Sequence, residues 1–299
     1  MKFELGSCPD AWGVWFPSDA HQPPFERFLD EVSRAGYRTI ELGPYGYLPT
    51  DPAQLRALLD AYRLRLSGGF IFGDLHGHDA WERRKPEIDS ACALLQRLGA
   101  EFCVLIEGMY TDLFTGEQIA SSELSESEWV QLTEVSNRIG EYVRDRYGLK
   151  AAFHPHAQTV IEREEQIERY LELTDPSLVS MVLDTGHHAY AGGDPVAFMR
   201  NHHQRIPYLH IKSVDKGIRA EVAAQGIPFA EAVNMGVFAE PQSGVVDFVA
   251  FRQVLEETGF EGIGIVEHDQ YPADFDRLMP IAVSTRKYLA EIGMISRDA

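Results

Sequence analysis

The sequence predicts an α/β fold of one kind, a single-domain (β/α)8 TIM barrel filling residues 1–299. One unit recurs along the chain. An amphipathic helix is followed by a short turn, often with Gly, and then by a β-rich apolar run that ends in polar residues. The length of 299 residues is normal for one such barrel with a few long loops. No low-complexity stretch or Pro/Gly/Ser linker divides the chain. No GxGxxG follows the first strand, which argues against an open, doubly wound sheet.

The opening strand lies near Phe3–Ser7. In the first full unit, Phe25, Phe28, Leu29 and Val32 fall at helical spacing. Gly36 can stop that helix, and the run 39–43 follows. The second unit pairs Leu55, Leu58, Leu59 and Tyr62 with the run 64–70. The third places Ile88, Ala91, Leu94, Leu95 and Leu98 before 102–107. The fourth places Trp129, Leu132, Val135, Ile139 and Val143 before 149–154. The fifth, sixth and seventh units carry strands at 179–184, 206–210 and 263–267, and a closing helix spans 275–292. Strands alternating with helices imply a parallel sheet, and eight strands imply closure. The segment 213–246 shows no clear period. A loop that long inside a compact domain is usually functional, so a lid over the active-site face or a partner-contact element is expected there.

The bulk numbers narrow the function. A content of 44% hydrophobic residues supplies a large core. The formal net charge of -19 argues against a phosphate-backbone surface, so no nucleic-acid partner is expected. No apolar run reaches the roughly 20 residues that span a bilayer, and the N-terminus lacks the apolar region of a signal peptide. Cys8, Cys92 and Cys103 have no CxxC spacing and read as buried free thiols in a reducing cytoplasm. An acidic barrel of this size is also compatible with a homo-oligomer.

Active sites of this fold lie at the C-terminal strand ends. Those ends carry Glu41, Glu107, His154, Asp184, His210 and Glu267, each preceded by apolar residues. One or two such residues can be explained by helix capping or local pairing. Four consecutive strands ending in metal-competent side chains call for a site. Imidazole nitrogen with carboxylate oxygen suits one divalent ion, Mn2+, Co2+, Mg2+, Fe2+ or Zn2+. His156, His187 and Lys212 lie two or three residues beyond these ends and are candidate proton carriers. His154 and His156 share a strand face, so either fits the ligand position. Trp15 and Tyr45, in two Gly- and aromatic-rich loops, are expected at the mouth, where sugar-like rings pack on aromatic faces. His76 and His78 occupy a Gly-rich loop near the same rim.

Several segments carry a family resemblance: Trp12-Gly-Val-Trp-Phe16, 40–49, Phe153-His-Pro-His156, Leu183-Asp-Thr-Gly-His187, His210-Ile-Lys212 and Val266-Glu-His268. Together they resemble the sugar phosphate isomerase/epimerase family of xylose isomerase-like TIM barrels, closest to the inosose (2-keto-myo-inositol) dehydratases. The resemblance implies metal ligands at His154, Asp184, His210 and Glu267. Family epimerases have Glu where this chain has His154. That leaves Glu267 alone of the two glutamates that epimerisation uses, and it favours dehydration. The implied reaction is a metal-dependent elimination on a keto-cyclitol or keto-sugar. Glu267 or His156 would remove the proton α to the carbonyl, and His187 or Lys212 would protonate the leaving hydroxyl. Trp15, Glu41, Tyr45 and Glu107 would contact substrate. The alternatives are a ketose isomerase or epimerase, a lyase or hydratase acting on 3-keto-glycosides, and a non-enzymatic subunit.

Overall fold

The computed structural model describes residues 2–296. Eight parallel strands close into one barrel. In chain order they are β1 (Lys2–Ser7), β2 (Thr39–Glu41), β3 (Arg65–Phe72), β4 (Phe102–Ile106), β5 (Lys150–Phe153), β6 (Val179–Asp184), β7 (Tyr208–Ile211) and, after two short strands, β10 (Glu261–Val266). The closure is the long β1–β10 ladder, paired from Lys2↔Glu261 to Ser7↔Val266. The register sets Asp184 beside His210 and Val266 beside Ile211. Metal-competent side chains on three neighbouring strands therefore emerge at nearly one level.

The helices form where the sequence supplies a start and a stop. They are α1 (Phe25–Arg34), α2 (Pro52–Tyr62), α3 (Ala80–Leu98), α4 (Glu126–Tyr147), α5 (Glu164–Leu173), α6 (Thr185–Tyr190), α7 (Pro195–His202), α8 (Lys216–Gln225), α9 (Phe229–Asn234), α10 (Phe248–Glu257) and α11 (Leu278–Glu291). Helix α4 shows the local logic. Ser125 and Glu128 make a capping box, and Gly148 takes the left-handed conformation that ends the helix. Trp129, Leu132, Val135, Ile139 and Val143 form its buried stripe. Inside the barrel, Tyr208 and Ser67 hydrogen-bond across the core at 2.7 Å.

The segment 213–246 is not an irregular loop. It contains β8 (Ser213–Val214), α8, α9 and β9 (Phe238–Ala239), with the two strands paired antiparallel outside the barrel. The two-residue strands and the six-residue α9 are too short to register as a period in the sequence. The third barrel strand also runs to Phe72, two residues past the expected end.

Candidate active site and metal centre

Barrel closure brings the strand-end residues of β5, β6, β7 and β10 to one point. His210 Nδ1 stands 2.8 Å from Glu267 Oε2, 3.1 Å from His154 Nε2 and 3.6 Å from Asp184 Oδ2. His154 Nε2 is 3.4 Å from Asp184 Oδ2. All four side chains are at least nine-tenths buried. Donor atoms that each lie about 2.1 Å from a shared ion sit about 3–3.5 Å from one another. The observed spacings match that pattern.

Three further observations fit a divalent ion here. Asp184 Oδ2 is buried and faces the centre, 3.4 Å from His154 Nε2 and 3.6 Å from His210 Nδ1. Its other oxygen accepts the amides of Gly186 and His187, both at 2.8 Å, and so caps α6. One carboxylate thus holds the helix start with Oδ1 and leaves Oδ2 for the centre. His210 Nε2 lies 3.1 Å from Glu41 Oε1. A carboxylate behind a histidine fixes the tautomer that offers the other nitrogen, here Nδ1, to a metal. Charge gives the third observation. Asp184, Glu267 and Asp269 surround a buried lysine, and a fourth buried carboxylate, Glu41, pairs with His210, so the carboxylates of the centre outnumber its lysine.

That lysine is Lys212. Its Nζ lies 2.6 Å from Glu267 Oε2, 2.7 Å from Asp184 Oδ2 and 2.9 Å from Asp269 Oδ2. Burial opposes its charge, but Asp184, Asp269 and Glu267 together hold its pKa well above the usual lysine value. Burial likewise opposes ionisation of Glu267, yet His210 and Lys212 hold that carboxyl down at about 2. Burial opposes the His210 cation too, but Glu267 and Glu41 outweigh it and hold its pKa well above the usual imidazole value. The lysine stem runs against Gly186. A Cβ there would lie 2.2 Å from Lys212 Cγ, which explains the glycine in Asp184-Thr-Gly-His187. Thr185 Oγ1 donates to the Lys212 carbonyl at 2.7 Å and ties α6 to β7.

Above the donors opens a cavity of about 730 Å3. His154, His156, His187, His210 and Glu267 line its floor, and Trp15 and Tyr45 stand in its wall. Of the expected substrate contacts, Glu41 and Glu107 are not among the lining residues. Glu41 is turned behind His210. Glu107 accepts the amides of Leu75 and Gly108 and pairs with His76, fixing the loop after β3. His76 and His78 are also absent from the lining residues. Lys212 and Asp184 lie beneath the floor rather than in the cavity. His187 reaches within 4.8 Å of donors of the same cluster, but its Nε2 is 4.0 Å from Asp184 Oδ2, outside the tight ring.

Reading strand ends alone missed Asp10, Asp269 and Phe229. Asp10 lines the cavity from the turn after β1, with a buried Oδ2 that has no hydrogen-bond partner. Burial, with Glu267 nearby, raises its carboxyl well above the usual range. Asp269 lies two residues past a strand-end glutamate. Burial lifts it to about 7 against the pull of Lys212. The alternation of Glu267 and Asp269 on one strand face was the available signal for it. Phe229 comes from α9, which no sequence period revealed.

Two histidines on the floor have opposite tautomers, set by one residue. His156 Nδ1 lies 2.8 Å from the Ala157 carbonyl, which only accepts, so Nδ1 carries the hydrogen and Nε2 the lone pair. The Ala157 amide donates to His187 Nδ1 at 3.3 Å, so the hydrogen of His187 sits on Nε2. The two rings are 3.8 Å apart between centroids. Burial, with His154 and Lys212 nearby, holds His156 down at about 3. Burial, with His156 and Lys212, pushes His187 well below its ordinary value. Both are therefore neutral at neutral pH, one an acceptor and the other a donor.

Comparison with known proteins agrees with this architecture. Residues 29–290 match the xylose isomerase-like TIM barrel family. A relative named inosose dehydratase from Geobacillus kaustophilus (strain HTA426) is 32% identical over 276 residues, covering 91% of this chain and 89% of that protein. Two solved structures share the fold. The probable 3-DHS dehydratase AsbF of petrobactin synthesis from Bacillus anthracis has a TM-score of 0.72 at 15% identity, covering 97% of this chain and 99% of its own. The IolI protein, solved with a bound zinc atom, has a TM-score of 0.68 at 18% identity and covers 97% of both chains. The barrel, its strand-end donors and the match over most of its length lead to one conclusion: the chain belongs to the xylose isomerase-like TIM barrel family.

Proposed function

We propose that this protein is a divalent-metal-dependent dehydratase that eliminates water from a keto-cyclitol or keto-sugar. The carrying observation is the pair of neutral histidines with opposed tautomers beside a ring of four metal-competent donors. The relative from Geobacillus kaustophilus, named inosose dehydratase, supports the same substrate class. His154, Asp184, His210 and Glu267 would hold the ion. When bound, a divalent ion polarises a ketone and stabilises the enolate left when a neighbouring proton departs.

The chain's own groups handle the protons. His156 Nε2, with its free lone pair at the cavity floor, takes the proton α to the ketone. His187 Nε2–H hydrogen-bonds the β-hydroxyl, and the proton taken up by His156 passes to that oxygen as it leaves as water, which returns both imidazoles to their neutral forms. Lys212 does not reach the cavity. It holds Asp184, Glu267 and Asp269 in place, and Glu41 orients His210. Trp15 and Tyr45 pack on the ring of the substrate. Mn2+, Co2+, Mg2+, Fe2+ and Zn2+ all suit this mixed nitrogen and oxygen set. We place the reaction in the cytoplasm, where three buried unpaired cysteines stay reduced. Among the described residues, no helix is long and apolar enough to cross a membrane.

The test combines metal analysis and turnover. Protein purified without chelator should carry about one divalent ion per chain, and Asp184→Ala should lose it. The intact protein should convert 2-keto-myo-inositol to a dehydrated product, with solvent deuterium entering recovered substrate at the α carbon. A metal content unchanged in Asp184→Ala, or an epimer formed in place of a dehydrated product, would sink this reading.

A further inference from the structure

The cavity has two halves of opposite character. The floor holds the imidazoles and carboxylates described above. The outer half is walled mainly by Phe16, Phe72, Met109, Leu113 and Ile119, with Glu87, Thr111 and Asp112 also among the lining residues, and Phe229 joins it to the floor with its ring 5.6 Å from that of His156. A sugar or cyclitol ring carries a hydroxyl on nearly every carbon. Placing those hydroxyls against this wall would strip their water without returning hydrogen bonds, which is unfavourable. The volume also exceeds what one such ring fills. About 730 Å3 lies within the roughly 300–1,000 Å3 that enclose a drug-sized ligand.

The apolar wall is a constructed surface. The segment after β4 folds back on itself through a Thr111↔Gln118 bridge. The Tyr110 amide donates to the Gln158 carbonyl and the Ala230 amide to the Leu113 carbonyl, so this segment is tied to two other parts of the chain. Phe114 packs on Phe16 at 6.4 Å. Despite this support, Phe72 remains 40% and Ile119 64% exposed. Large apolar side chains held open at the mouth of a polar site fit a ligand that continues outward as an apolar group.

We infer that the outer half of the cavity is a subsite for an apolar substituent of aryl size, carried by the same substrate whose polyol ring lies on the floor. This rests on the proposed function for the position of the ring and extends it to the substrate class, a keto-sugar or keto-cyclitol bearing an aromatic or similarly apolar group. The ring would meet the histidines and carboxylates, and the substituent would cover Phe72, Met109 and Ile119.

The experiment uses two unreactive probes, phenyl β-D-glucoside and methyl β-D-glucoside, titrated calorimetrically into the intact protein. Burying the phenyl group should make the first bind about tenfold tighter or better. The double variant Phe72→Ser/Ile119→Asn alters two exposed side chains, and its melting temperature serves as the folding control. In it the phenyl advantage should shrink to a few-fold. Equal affinities in the parent protein, no binding of either glucoside, or an undiminished advantage in the double variant would overturn the inference. So would a dimer in sedimentation that this variant dissociates, because the wall would then belong to a second copy. A separate assay with 2-keto-myo-inositol keeps the two readings apart. Phenyl preference without dehydration leaves the subsite standing and removes the dehydratase. Efficient dehydration without phenyl preference does the reverse.

Discussion

Glu41 supports His210 from the side away from the cavity, and a single substitution can separate that role from substrate contact. In Glu41→Gln the side-chain oxygen can still accept from His210 Nε2 but brings no charge. The ring becomes a poorer donor, and metal affinity should fall about tenfold. At saturating metal the KM should stay near that of the parent, since Glu41 does not line the cavity. Metal titration and steady-state kinetics on the one variant check both halves. A raised KM with unchanged metal affinity would return Glu41 to substrate binding. The residue also shows what strand-end reading can reach. The sequence places Glu41 at the right level of the barrel. Its partner is 169 residues away, so only closure reveals which way the carboxylate turns.

Helix α6 is six residues long and is capped by Asp184, a proposed metal ligand, so its start and a bound ion would call on one side chain. Asp184 serves both by dividing its oxygens. Asparagine is an equally good N-cap but a much weaker ligand. In Asp184→Asn the melting temperature of metal-free protein should move by only a few degrees, while bound metal should fall more than tenfold. Circular dichroism melts and elemental analysis separate the two effects. Loss of fold together with metal would mean that the charge of Asp184, rather than its cap, holds α6 to Lys212. At this scale the sequence was legible where an element is long and periodic, as α4 is. It was opaque at β8, α9 and β9, where a few residues owe their conformation to the barrel beneath them.

For the whole molecule, several histidines stay neutral in the fold. Unfolded imidazoles take up protons near pH 6.5. Folded, burial keeps His156 neutral down to about 3 and His268 to about 4, and His187 shifts the same way. Between those limits the unfolded chain binds more protons, so stability is full above about pH 6.5 and falls on acidification. Asp269 acts the other way. Its pKa is raised to about 7, so its ionisation costs the fold stability as pH rises toward neutrality. Asp10 and His210, whose pKa values are also raised in the fold, act in the same direction as Asp269, so the imidazole contribution is read as a difference between two proteins. From pH 7 to pH 5 the melting temperature of chelated His156→Gln should fall less, or rise more, than that of the chelated parent. Parallel pH profiles for the two proteins would show that His156 is charged in the folded state at pH 5. Added Mn2+ or Zn2+ at about 100 times its Kd should stabilise the chain by about 2.7 kcal/mol at neutral pH, and by less at pH 5 as protons compete for His210.

The amino-acid sequence by itself determined the barrel, because helical and strand periods are local and recur in alternation. It also determined which residue types stand at the strand ends, because alternation along a strand sets face and level. Tertiary structure decided how those residues are shared out. It set Glu41 behind His210 and Lys212 beneath the floor, and it made Ala157 the common partner of two imidazoles. It also joined segments far apart in the chain into one apolar wall. Ring orientation, tautomer and burial depend on neighbours that are distant in the chain, and only closure of the barrel brings them together.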